Sequence, residues 1–271
     1  MMMECYFDDS SDPKRQHYFA CGGVVGGQEQ WDAFDVLWAN ETAGLKEPFR
    51  ATECECGHGQ FTNWEKPERD ALMARLVNVL HLFKLYGIAS IVPIEAFKRV
   101  FPNLDSKEAF FLAVTQNIMN MAHVAHQSYM NLLYLNADLW FERGPHNGAI
   151  QKIYDDICAL DWKPAQRLTG FHLKTKELRP LQAADMVARE AFKHIDNLGI
   201  RQTRRPVLEM SDTLCFLLWT EKSLAYLAAN GGPRNLKFLS EFNDSLDAPL
   251  LQHFWRKSWA FHEKVAREKK Q

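Results

Sequence analysis

The sequence predicts a mixed α/β fold: a central sheet flanked by helices. Two observations carry that prediction. Short apolar runs rich in strand-forming residues recur along the chain, as in "YFACGGVV" (18–25), "GIASIVPI" (87–94) and "NLLYLNADLWF" (131–141). Between them lie longer segments whose apolar residues return at helical spacing, such as "EQWDAFDVLWAN" and "PLQAADMVAREAFKHI". Strands alternating with helices in this way point to a layered α/β architecture.

Taken in order, residues 4–8 form a strand that ends on Asp8 and Asp9. The polar loop "DSSDPKRQ" then leads into the 18–25 strand, giving an antiparallel hairpin. Gly22 and Gly23, inside the second strand, mark a bulge or a close backbone approach. An amphipathic helix carries Trp31, Phe34 and Trp38, and 48–64 is irregular, rich in Gly, Cys and polar groups. A long helix from about Pro67 to Tyr86 precedes the 87–94 strand. Residues 95–130, rich in Met, Phe and Ala, read as an inserted helical lobe. The 131–141 strand, a helix near 147–160, a strand at 167–175 and the helix around "LQAAD", with Pro180 in its first turn, complete the core. Helices over 212–229 and 249–268 follow. The expected organisation is one domain over 1–271, with core segments of about 4–95 and 131–200 and a C-terminal helical extension of about 205–271.

Composition narrows the function. A chain of 271 residues with 46% apolar and 24% charged residues can bury a sizeable core. Its formal net charge of −2 gives no global attraction to nucleic acid, so any such surface is a local patch. No apolar run is long enough to span a bilayer, and "MMMECYFDD" has neither a basic start nor an apolar signal core, so the expectation is a cytoplasmic protein without a membrane partner. The six cysteines, at 5, 21, 54, 56, 158 and 215, are scattered, as expected for core residues in a reducing compartment.

Carboxylates at element ends are the candidate chemistry: Asp8, Glu53, Glu55, Asp138, Glu142 and Asp185. Strand alternation puts Tyr6 and Asp8 on one face and Phe7 and Asp9 on the other, so only one of the adjacent aspartates faces a given site. Gln182, Asp185 and Arg189 share a helical stripe amid apolar neighbours, where a carboxylate is costly unless paired or on a metal. Hard divalent ions take such oxygen ligands and can activate water for phosphodiester cleavage. The plainer readings are a turn at Asp8–Asp9, an Asp185–Arg189 pair and a strand end at Glu142.

These motifs also carry a resemblance. "YFDDS" with "YFACGGVV", then "PFRATECECGHGQFTNW", then "PLQAADMVARE" resemble, in order, blocks of the bacterial domain-of-unknown-function family 3800, over about residues 4–195. The resemblance implies a ribonuclease H-like fold, as in retroviral integrases, and a nuclease dependent on Mg²⁺ or Mn²⁺. Family members are similar to prophage and defence-island proteins. By position, it implies that Asp8, Glu142 and Asp185 bind metal and that Glu53 is a further catalytic carboxylate, with Asp138 an alternative to Glu142. This chain departs from the family pattern in carrying Asp9 where Glu is usual and Arg50 where His is usual.

Basic residues are the candidate phosphate contacts: Arg50 and Lys174 near the site, Arg201, Arg204 and Arg205 in "RQTRR", and the aromatic-basic run 256–270. Two soft-metal alternatives are weaker. Cys54-x-Cys56-x-His58 lacks the two-residue cysteine spacing and the second pair of a zinc site, and His123 and His126 have no adjoining acid. The expected function is divalent-metal-dependent hydrolysis of DNA or RNA. The alternative is a ribonuclease H-like protein with degraded chemistry that binds nucleic acid or a partner protein in a phage-defence or prophage setting. A homo-oligomer joined through the 95–130 lobe is a further expectation.

Overall fold

The structure, a computed structural model, describes residues 2–12, 17–130, 136–197, 202, 204–210 and 213–245. The chain opens on strands β1 (Met2–Ser11) and β2 (Tyr18–Gly27), helices α1 (Gln28–Thr42), α2 (Ala51–Cys56) and α3 (Lys66–Leu82), and strand β3 (Tyr86–Pro93). Helices α4 (Ile94–Val100) and α5 (Lys107–Met130), strand β4 (Asn136–Glu142), helix α6 (Asn147–Cys158), strand β5 (Leu168–Lys174) and helix α7 (Arg179–Asp196) follow. Helix α8 (Arg205–Glu209), strand β6 (Leu214–Leu218) and helices α9 (Glu221–Ala229) and α10 (Leu236–Ser245) complete the described chain.

The sheet runs β5-β4-β1-β2-β3-β6. β2 is antiparallel to both neighbours, while β4 lies parallel to β1 and to β5, and β6 parallel to β3. This is a mixed α/β architecture, as the element pattern predicts. β1 is longer than expected. It continues past Asp8 to Ser11, which pairs with Phe19, so the hairpin loop is shorter than "DSSDPKRQ". The polar residues after Asp8 still have a ladder partner in β2, and that keeps them extended.

Helices cover both faces. On one, α7 packs with α1 and α3 over Tyr6 and Val24. On the other, α5 and α6 pack over Cys5, Phe7 and Phe141. The alternation of β1 is therefore as expected, with Tyr6 and Asp8 toward α7. Gly22 allows the close approach of α7: a Cβ there would lie 2.4 Å from the Ala188 Cα.

Three expectations are corrected. The 95–130 segment is no inserted lobe, because α5 is the main helix of the second layer. Its Phe110, Leu112, Val114, Ile118, Met119 and Val124 are all buried in the sheet core. From Glu108 to Ala125 every residue but Phe111 is buried, polar ones included, so this helix is enclosed on all sides. Residues 51–56, expected to be irregular, form α2, closed by Gly57 in the left-handed conformation. Residues 214–218, expected to be helical, form β6, since a five-residue apolar run carries no distinctive period. The expected 249–268 helix and the 256–270 run lie outside the described residues. Among the described residues no helix is long and apolar enough to cross a membrane.

Candidate active site

The β1–β4 ladder ends at the pair Phe7–Phe141, so Asp8 and Glu142 stand just past the carboxyl end of this parallel pairing; β4 stops at Glu142, while β1 runs on to Ser11 against β2. Asp185 comes down from α7, two turns into the helix, held close by the Gly22 contact. Into the space between them reaches Lys176, from the turn that joins β5 to α7.

The Lys176 Nζ lies 2.8 Å from Asp8 Oδ2, 3.1 Å from Asp185 Oδ1 and 3.4 Å from Glu142 Oε2. Three carboxylates from three separate elements thus converge on one ammonium. Asp8, Lys176 and Asp185 are buried, with 5%, 6% and 7% exposure. Asp8 Oδ1 accepts the Asp9 N–H at 2.8 Å, and Asp185 Oδ2 accepts the Ala51 N–H, in the first turn of α2, at 2.6 Å. Asp8 Oδ2 has the ion pair but no well-aligned hydrogen bond, although it is buried. The backbone of Lys176 is pinned in turn: Gln182 Nε2 donates to its carbonyl at 2.7 Å, and Trp38 Nε1 donates to Gln182 Oε1 at 2.8 Å.

Electrostatics follow from this crowding. Burial pushes the Asp8 carboxyl well above its usual range; Lys176 pulls it back, while Asp185 and Glu142 add to the rise. Burial would lower the Lys176 ammonium, but Asp8, Asp185 and Glu142 outweigh burial and hold it above its ordinary value.

The remaining expected residues divide. Arg50 sits at the rim, 3.9 Å from both Glu142 Oε1 and Glu53 Oε1. Glu53 reaches Arg50 but makes no ion pair with Lys176, so it stands beside the carboxylate cluster rather than in it. Lys174 ends β5 opposite Glu142 and is exposed. Asp138 lies four residues back along β4, against Thr169 and His172. Arg204 is not available for phosphate: it binds Glu55 at 2.5 Å and Glu190 at 2.8 Å. Arg189 completes that cluster, donating to Glu55 at 2.7 Å, so Asp185 is not its partner. Arg205 pairs with Glu209 at the surface, and Arg201 lies outside the described residues. Cys54 is buried whereas Cys56 and His58 are exposed, which is no zinc site. His123 pairs with Asp244 across α5 and α10.

Sequence reasoning missed Lys176. Its signal was parity: Lys174 and Lys176 continue the even-numbered face of β5, and only the second lies where the chain has left the sheet and can curl inward.

The donors suit a hard cation. They are carboxylate oxygens, one of them buried and lacking a hydrogen bond. Among the described residues, however, no group of three or more His, Cys, Asp and Glu side chains is already arranged to hold a metal ion. The ammonium holds the point of convergence, and a divalent ion would have to displace it. Comparison with protein-family models, with curated proteins and with solved structures finds no match to this chain.

Proposed function

We propose that this protein is a divalent-metal-dependent phosphodiesterase acting on DNA or RNA, with a ribonuclease H-like core. The observation that supports it most is the convergence of Asp8, Glu142 and Asp185 on a single buried point at the strand ends. In open α/β sheets such strand ends are where ligands bind. Asp8, Glu142 and Asp185 would hold Mg²⁺ or Mn²⁺. A bound ion of this kind supplies charge neutralisation at the phosphate and activation of water.

The chain's own groups do the rest. Asp9 N–H and Ala51 N–H fix the Asp8 and Asp185 carboxylates in place without neutralising them. Arg50 and Lys174, at the mouth, offer cations to the flanking phosphate oxygens. Lys176, now seated among the three carboxylates, would be a third cation beside the same anion. The Trp38–Gln182 bond, through the Gln182 donation to the Lys176 carbonyl, holds the backbone of that lysine in place. The test is cleavage of single- and double-stranded DNA and RNA with Mn²⁺. Asp185→Asn is expected to abolish cleavage, and full activity in that variant would refute the site.

One observation favours a second reading, a protein that binds nucleic acid or a partner protein without cleaving. Lys176 already balances part of the carboxylate charge, as it would in a permanently closed ion cluster. Failure of the wild-type protein to bind Mn²⁺ would select that reading.

A further inference from the structure

On the sheet face that carries Asp8 and Glu142, a row of rings crosses three strands in register: Tyr6 on β1, Trp140 on β4 and His172 on β5. Tyr6 and Trp140 stack with centroids 5.7 Å apart and planes 20° apart; Trp140 and His172 stack at 3.9 Å and 24°. The inner end is closed, because Tyr6 is buried edge-on against Trp31. The outer end is open. His172 stands on the sheet's edge strand with 36% of its side chain exposed. Trp140 covers the inner face of that imidazole, so the other face looks out past the edge of the sheet.

This ring is placed rather than loose. His172 Nε2 lies 3.8 Å from Asp138 Oδ2. Gly170 leaves room for it, since a Cβ there would be 2.8 Å from His172 Nε2 and 2.7 Å from Asp138 Oδ1. Two residue pairs further along the strands, about 6.7 Å away, and so on the same face, Glu142 faces Lys174. Lys174 is exposed and makes no ion pair among the described residues. A stacking face, an unpaired cation and the carboxylate cluster therefore follow one another along two strands.

We propose that this row is a base-stacking platform: one base of a single strand adds to the outer face of His172 as the fourth ring, and its neighbouring phosphate lies at Lys174. Every base has a π face, so such a platform accepts any sequence and requires bases that are not paired. The proposal rests on the phosphodiesterase reading for the chemistry next door, but not for binding itself.

The test is fluorescence anisotropy in excess chelator, using a dye-labelled short oligothymidine and the same strand made abasic. His172→Ala is expected to weaken oligothymidine binding about tenfold, to leave abasic binding unchanged, and to be rescued by His172→Tyr. Wild-type affinity in His172→Ala, equal affinity for the abasic strand, or no binding of either strand would overturn the platform. Because no metal is present, its failure leaves Asp185-dependent cleavage standing. Conversely, loss of the phosphodiesterase reading leaves a measured binding site.

Discussion

At the residue scale, the site is a trade between charge and burial. The folded-state carboxyl of Asp8 titrates well above the unfolded value, chiefly because it is buried. A carboxyl raised in this way costs stability as pH climbs from the unfolded value through the folded one. Asp8→Asn is therefore expected to raise the melting temperature at pH 7 by a few degrees, with a gap that closes on acidification. Thermal scans across pH check this. Lys176→Met has the opposite character. Without the ammonium the three carboxylates repel one another, so the variant is expected to melt lower in chelator and to bind Mn²⁺ more tightly than wild type, by calorimetry. Much of this was legible in sequence. Strand parity separated Asp8 from Asp9, and the Gln182–Asp185–Arg189 stripe marked three buried polar side chains, each of which has a partner. Lys176 was not legible, because a lysine in a polar turn looks solvated until the helix after it folds the turn back over the strand ends.

At the element scale, α7 is the piece that assembles the site, and it depends on one glycine. Gly22→Val would drive a side chain into the Ala188 backbone. The expected cost is at least about 1–3 kcal/mol, seen as a lower denaturation midpoint together with weaker Mn²⁺ binding, since Asp185 moves with the helix. An unchanged midpoint would mean that α7 packs elsewhere. The glycine pair carried this signal in the sequence, as a close backbone approach. The role of α5 did not show, because a Met-, Phe- and Ala-rich helix reads the same whether it packs on a sheet or in a separate lobe. β6 was hidden for a related reason: "LCFLL" is too short to show a period, and only its parallel register with Gly87–Ile91 makes it a strand.

At the scale of the whole molecule, two ionic clusters lie one turn apart on α7. One is the carboxylate–Lys176 site and the other joins Glu55 and Glu190 to Arg189 and Arg204. The second ties α2, α7 and the segment before α8 together, and so took up an arginine that sequence alone offered to phosphate. Burial raises Glu55, but Arg189 and Arg204 outweigh it and hold the carboxyl below its ordinary value. Its contribution is present above the unfolded glutamate value and is lost as pH falls through the folded one. Glu55→Gln is expected to lower stability at neutral pH and to flatten the acid limb of the stability curve, measured by denaturant titration. The net charge of −2 gives no hint of either cluster, because both arise from placement rather than composition. The central claim is that the carboxylate point is a metal site, and calorimetric titration with Mn²⁺ tests it most directly. Wild-type protein is predicted to bind Mn²⁺ and an Asp8→Asn, Asp185→Asn double variant to lose that binding. Equal binding by the two proteins, or none by wild type, would contradict it.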